Sequence, residues 1–549
     1  MTSSWLLKTP VSRPNSIKAK LAALSWERGI SPFFTDGVPF SWSTSTTFAK
    51  IVTDYLLLVK SHQKETVHCY EIGSGLGQLS QKILRTITKK KEMHHIQFHI
   101  SDYKDSIVNT LKKNTGFAPF ENIIQFDKLS FDNLKFSRKM PPHFVILSYI
   151  LDALPHYHLR WENNILQEEK VISYLTKKPL LATNNRPFTA IEPENIVPWL
   201  DQQSNQTLLN HLHRIGPCFK ERHKLDLTLP ITKMEHDYLK AYFKYYKIKN
   251  CRFNYSPGVI TGFKKLCEAA PDTFLWLIQD FGNFRPDGIG LKTKMILSCD
   301  VSQFYTQHLH LLCYIAKTYK FNIKHTIFPN NDTQHLIIYR GIPNQKVNKL
   351  FRKATKEPFA KTQIKLAQSV NRISAKTTAI KFKEKISQLT EKNDLSYHTM
   401  LVIAKQFFLK NMFLESQKYT QKIINEYHEF AISAQLLHAQ CYGELNQLTN
   451  GLEVLEKAIT IAPYVQDLYL HQSIIALKKQ DYDTFIKTVQ HYIVLLPNFP
   501  IWSHIMTFYT VLKYHYKKKS LADHYLAQLK LFNQKGYFRI PDKVLDLAN

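Results

Sequence analysis

The run Glu71-Ile72-Gly73-Ser74-Gly75-Leu76-Gly77 sets one carboxylate and three alternating glycines within seven residues. An apolar, β-prone stretch precedes it (Val67-His68-Cys69-Tyr70), and Leu79-Ser80-Gln81-Lys82-Ile83-Leu84-Arg85 follows with apolar residues at helical spacing. A strand, a tight loop and a helix N-terminus are predicted. Glycine lets a ligand approach bare backbone there, and the helix start offers unpaired N–H groups to an electron-rich ligand. A dinucleotide fingerprint would need glycine or alanine at Gln78, and a Walker loop would need a lysine that is absent.

Other acids close apolar runs. Ile96–Ile100 leads to Asp102, 25 residues after Gly77, and Asn122–Phe126 leads to Asp127. Phe144–Leu151 leads to Asp152-Ala153-Leu154-Pro155, and Phe274–Ile278 to Gln279-Asp280-Phe281-Gly282. Polar residues at the carboxyl ends of near-continuously apolar strands match the rule for ligand sites in open α/β sheets. Acid-x-G-x-G-x-G is the usual loop for S-adenosylmethionine (SAM) in class I methyltransferases. Asp102 then stands where the ribose hydroxyls are held, and Asp127 where the adenine edge is read. After Met295-Ile296-Leu297 and a helix from Ser302 to Lys317, two strands near 321–328 and 335–339 complete a Rossmann-like sheet of seven strands.

These motifs resemble the MidA-type SAM-dependent methyltransferases, a family that includes the mitochondrial complex I assembly arginine methyltransferase. The matching stretches are the glycine loop, Leu151-Asp152-Ala153-Leu154-Pro155 and Leu277-Ile278-Gln279-Asp280-Phe281-Gly282. Ser256-Pro257 before a helix and Thr35-Asp36-Gly37 also fit. The resemblance covers roughly residues 20 to 340. It implies SAM as cofactor, Gly73, Gly75 and Gly77 cradling its amino-acid moiety, and Glu71 holding the loop or the ammonium. It also implies Asp152 and Asp280 orienting the acceptor, with Tyr149 lining it. The implied acceptor is a protein side chain, arginine included. One departure stands out: the family has Glu where this chain has Tyr149, which removes one acceptor suited to a guanidinium.

Composition bounds the rest. At 549 residues several domains are expected, and 44% hydrophobic content suffices for packed cores. The net charge of +29 favours an acidic partner, nucleic acid included, or reflects a lysine-rich solvated surface. DNA amino-methylation would want Pro-Pro after the fourth strand, whereas Pro141-Pro142 precedes it. The seven cysteines form no C-x-x-C, so neither a disulfide framework nor a zinc site is expected. No signal-peptide core or transmembrane run appears, so the expectation is cytoplasmic, with secretion by a specialised machine invisible to these rules. Histidine pairs (His156/His158, His211/His213, His308/His310) have no third metal ligand at a set spacing. His156 and His158 follow Pro155, where one could serve as general base.

The predicted organisation is a helical cap over 1–50 and a methyltransferase domain over 51–340. A helical insertion, or lid, occupies about 156–270. A basic linker or solvated helix, or more sharply a basic interaction segment, spans 341–393, with twelve Lys/Arg against two Glu between Lys346 and Lys385. An all-α array follows over 394–549. Pro463 and Pro497 lie 34 residues apart, the period of tetratricopeptide (TPR) repeats. Ala439, Tyr442, Gly451, Leu455 and Ala458 then fall on the small and large positions of one repeat. Tyr469, Ser473, Ala476, Phe485, Val489 and Tyr492 fall on the next, with an earlier repeat near Ala404 and Phe407 and a capping helix over Leu521–Phe532. A concave face for a protein partner follows. Two other functions stay open: a degraded methyltransferase scaffold serving interaction through the array, and a nucleic-acid-associated methyltransferase.

Overall fold

The computed structural model describes residues 10–29, 31–35, 45–176, 215–288, 301–326, 333–355, 359–392, 395–428 and 431–494. It also describes short pieces at 5–6, 180–181, 189–190, 192–201 and 295–299 and a few isolated positions. Asp36, Gly37, Pro179, Pro187, His211, His213 and Pro497, with nearly all of Leu521–Phe532, lie outside the described residues.

The main sheet is built from β1 (Val67–Ile72), β2 (Ile96–Asp102), β3 (Ile124–Lys128) and β4 (Phe144–Ser148). After an insertion the chain returns through β9 (Phe274–Asn283), β10 (Asn322–His325) and β11 (Thr333–Arg340). The strand order is β10-β11-β9-β4-β1-β2-β3, parallel except at β11, which runs antiparallel to both its neighbours. A two-residue strand, Gln307–His308, adds to the end of β9. Both faces are buried, as an almost wholly parallel sheet requires. Tyr70, Ile72, Val145, Leu147, Trp276 and Ile278 point to one core. The alternate residues Val67, Cys69, Phe144, Ile146, Leu275 and Leu277 point to the other. Helix α2 (Thr46–Lys60) and helix α3 (Gln78–Lys89) cover the second face.

The insertion departs from expectation. It was expected to be helical; its centre is an antiparallel sheet of β5 (Tyr157–Glu162), β6 (Ile165–Leu175), β7 (Phe219–Asp226) and β8 (Asn250–Tyr255). The physical reason is a period of two: Glu169, Val171, Ser173 and Leu175 are buried at alternate positions along β6. The helix expected from Ser302 starts only at Leu309, because Ser302–Tyr305 pairs with Ile296–Cys299 as a ribbon.

The stretch expected to be a basic linker or solvated helix forms three helices, one face of which is packed rather than solvated: α4 (Asn344–Ala354), α5 (Phe359–Lys376) and α6 (Ala379–Lys392). Val370, Phe382 and Ile386 are buried against Ile403 and Phe407 of the next helix. Lysines alternate with this apolar stripe, so a high charge count did not exclude packing. Six helices follow as antiparallel pairs: α7 (Tyr397–Leu409) with α8 (Phe413–Tyr427), α9 (Ile432–Glu444) with α10 (Leu448–Ile461), and α11 (Gln466–Lys478) with α12 (Tyr482–Val494). First helices begin at Tyr397, Ile432 and Gln466, a repeat of 34 to 35 residues. Ala439, Leu455 and Ala458 are fully buried, and a Cβ on Gly451 would meet Ile475 at 3.0 Å. No described helix is long and apolar enough to cross a membrane.

Candidate functional site

Strand order reverses direction beside β1, whose neighbours β2 and β4 leave it on opposite sides. Such a switch point opens a crevice at the carboxyl ends of the strands. The glycine loop lies there. Gly73, Gly75 and Gly77 all have positive φ, at +73°, +52° and +65°. A Cβ on Gly73 would meet Ile150 Cδ1 at 2.6 Å, and one on Gly77 would meet Leu111 Cδ2 at 2.6 Å. Only glycine therefore suits both the conformation and the space. The ring of Phe33, from the short helix Pro32–Thr35, stands 3.1 Å from where a Gly75 Cβ would be. That residue carries no motif, and its place over the loop was not readable from spacing.

Glu71 is buried behind the loop, and the hydroxyl of Ser80 in α3 donates to its Oε2. Burial raises its carboxyl to about 7, with the Asp102 charge adding and the Ser80 bonds opposing. Glu71 thus ties β1 to the first turns of α3. Asp102, at the end of β2, accepts from the Gly75 N–H at 3.2 Å on Oδ2 and from the Lys104 N–H at 3.3 Å on Oδ1. Each carboxylate oxygen keeps acceptor capacity for a further donor. Burial raises its carboxyl above the ordinary range, against these backbone bonds.

Asp127, at the end of β3, is bonded by side chains of its own and the neighbouring strand. The strand runs on to Lys128, and the Asp127 carboxylate is taken by His99 Nδ1 at 3.1 Å and Gln125 Nε2 at 2.7 Å. Burial would raise its carboxyl, but these bonds outweigh it and hold the group low. Its contacts give no support to an adenine-edge role.

Asp152 and Asp280 meet at the ends of β4 and β9. Oδ2 of Asp280 accepts from the Leu151 N–H at 2.9 Å and the Asp152 N–H at 3.3 Å, and Oδ1 from its neighbour Phe281 at 2.7 Å. Both side chains are fully buried, and the Asp152 carboxyl has the Asp280 carboxyl as its side-chain partner, with no donor from another residue. Burial raises both carboxyls, and for Asp280 the Asp152 charge raises it further. Ser148 Oγ and Gln279 Oε1 are buried without a partner. With the acid pair at the same two adjoining strand ends they form a lining suited to a polar ligand. The motif holding Gln279 was visible in sequence; its unpaired oxygen was not.

Tyr149 adopts φ +54°, a left-handed conformation that costs a bulky residue energy and recurs at functional sites. Its N–H bonds the Gln279 carbonyl at 2.8 Å, its ring lies 5.1 Å from Phe281, and its hydroxyl is 2.9 Å from Thr333 Oγ1.

The histidines belong elsewhere. His156 Nδ1 bonds the Leu154 carbonyl at 2.6 Å, Nε2 faces Gln307, and burial lowers its pKa to about 4. Both its nitrogens are thus engaged and it is not placed as a general base. His308 and His310 share the Tyr242 hydroxyl. His158, buried and with both ring nitrogens unpaired, does meet two possible metal ligands from across the small sheet, Glu169 and His223. Glu169, however, already accepts from Arg252 through both oxygens at 2.9 Å, and the Arg252 charge disfavours a cation.

A family model described as "Putative S-adenosyl-L-methionine-dependent methyltransferase" matches residues 49–246. That span carries the glycine loop, Asp102 and Asp152. No curated protein matches the chain. Among solved structures, a COG1565 superfamily member from Burkholderia thailandensis bound to S-adenosyl-homocysteine shares 10% identity over 61% of this chain and 96% of its own, with a TM-score of 0.35. The plantazolicin methyltransferase BpumL in complex with SAH shares 10% over 59% of this chain and 96% of its own, at 0.21. MamA shares 13% over 28% of this chain and 87% of its own, at 0.25. Likenesses this distant assign neither substrate nor activity.

Proposed function

We propose that this chain is a SAM-dependent methyltransferase acting on a cationic protein side chain, arginine among the candidates, with the helical array as a TPR-like protein-interaction module. The observation that carries the reading is Asp102: a buried carboxylate at a switch-point strand end, held against the glycine loop with acceptor capacity left over. Ribose hydroxyls suit that acceptor. The loop's positive-φ glycines leave backbone bare for the amino-acid moiety, and Glu71 steadies the loop from behind.

Bound SAM supplies a methyl group already activated by its sulfonium. The protein's part is positioning and exclusion of water. The buried Asp152/Asp280 pair, with carboxyls raised by burial, ionises readily only when a cation enters. A guanidinium or ammonium then takes the place of the shared proton on Asp152, and Asp152 Oδ takes the proton that the acceptor nitrogen sheds as the methyl group leaves the sulfonium. Tyr149, strained and packed on Phe281, walls the acceptor side.

An open groove of about 650 Å³ between α8, α9 and α10, lined by Ile424, Asn425, Gln435, Lys457 and Ile461, supports the interaction role of the array. Calorimetric titration with SAM, followed by labelled methyl transfer to lysate proteins, tests the proposal. Binding with protein labelling supports it. Binding without labelling moves the weight to a scaffold, and labelling confined to nucleic acid moves it to the nucleic-acid reading.

A further inference from the structure

We infer that the helical array is a wall of the cofactor site, with Tyr427 and Glu426 acting as positioning residues for the glycine loop through α3. The inference rests on the cofactor reading above.

Helix α3 has an apolar face, Leu79, Ile83, Leu84 and Ile87, that belongs to the sheet core. Gln78, Lys82 and Arg85 recur at helical spacing on another face. In a free-standing α/β domain such residues would meet water. Here Gln78 and Lys82 are only 1% and 5% exposed. What covers them is the end of α8. Gln78 Nε2 donates to the Tyr427 carbonyl at 3.2 Å, and Lys82 Nζ donates to the Tyr427 hydroxyl at 2.7 Å. The same ammonium pairs with Glu426 at 2.6 Å and lies 4.2 Å from the centre of the Tyr427 ring. One turn on, Arg85 donates to His428 Nε2 at 2.6 Å.

The loop itself is gripped as well. Leu76 packs against Phe33, Phe34 and Ile461, the last residue of α10. Array residues therefore touch both the loop and the first turns of the helix it feeds. Gln78 also has a double meaning. It occupies the position where a dinucleotide fingerprint has a small residue, and its amide is what reaches the array. A buried ammonium is tolerated only while its partners stay in place. The seat of α3 thus depends on Tyr427 and Glu426, and with it the position of the loop amides that receive a ligand.

The test is a double-mutant cycle on the full chain, read by calorimetric titration with S-adenosyl-homocysteine. Lys82→Met and Tyr427→Phe each keep the packing volume. Each is expected to weaken binding by about three- to tenfold, the net scale of one hydrogen bond. The double variant should be no weaker than the worse single, because both remove one interaction. Phe485→Leu, in the far helix α12, should bind as wild type, and hydrogen exchange of residues 74–82 should speed up only in the Lys82 and Tyr427 variants. Folded single variants with unchanged affinity, or effects that simply add, overturn the inference. Glu426→Gln repeats the test from the other partner should either single fail to fold. A folded wild type that does not bind S-adenosyl-homocysteine is a different failure, that of the cofactor reading itself.

Discussion

The backbone N–H of Asp152 donates to Oδ2 of Asp280 at 3.3 Å, while the Asp152 carboxyl has only the Asp280 carboxyl as side-chain partner. One acid is held by backbone N–H groups and the other leans on its fellow acid in a fully buried place. That asymmetry separates a support from a group that meets a ligand. It makes Asp152 the stronger choice for contact with the acceptor and Asp280 the residue that shapes its loop.

Asp102→Ala should weaken SAM binding by about 1–3 kcal/mol, the cost of losing a charged hydrogen-bond acceptor in a buried site. Calorimetry on the folded variant measures it, and unchanged affinity would remove the ribose role.

Gly77→Ala should lower thermal stability. The new Cβ meets Leu111 Cδ2 at 2.6 Å and Phe117 Cζ at 2.9 Å, at a φ of +65°. The left-handed conformation alone costs roughly 1–2 kcal/mol for a non-glycine residue. A melting temperature equal to wild type would show that the loop can relax away from this geometry.

Glu71, Asp152 and Asp280 all have carboxyls raised by burial. Above the ordinary carboxylate pKa of about 4, the folded chain holds protons that the unfolded chain has released. Their contribution to stability is therefore greatest at low pH. It falls as pH rises, through about 7 for Glu71 and on through the range in which the aspartate pair titrates. A cationic ligand favours the ionised forms, so its affinity should rise with pH over the same window. Melting curves at pH 5 and 8 on wild type and Asp152→Asn check this. A slope that Asp152→Asn leaves unchanged would take the pair out of the account.

Leu455→Ala should destabilise the array by about 2–5 kcal/mol, since the side chain is fully buried between paired helices. Chemical denaturation followed by circular dichroism measures it. A loss well under 1 kcal/mol would mean that the paired helices close over the gap.

The glycine loop and the acids at the strand ends were legible because backbone geometry and period-two burial act locally. Alternate glycines, a strand and a helix start are properties of neighbouring residues. The helical repeat was legible for the same reason: Ala439, Leu455 and Ala458 recur with a helix pair's own spacing. What sequence could not decide was which polar atoms end up paired. Asp127 and Asp102 both close apolar strands, yet His99 takes the first and the loop takes the second. The insertion read as helical because its prolines and aromatics say little about which distant strand completes each edge. The segment from Lys346 to Lys385 read as a linker or solvated helix because charge count does not reveal a packed stripe. Sequence by itself determined the loop, the strand-end acids and the repeat period. Tertiary structure alone decided that backbone holds Asp280 while Asp152 leans on it, and that Tyr427 seats on α3. Each of those facts depends on contacts between residues more than a hundred positions apart, where loop closure and burial, not local preference, set the outcome.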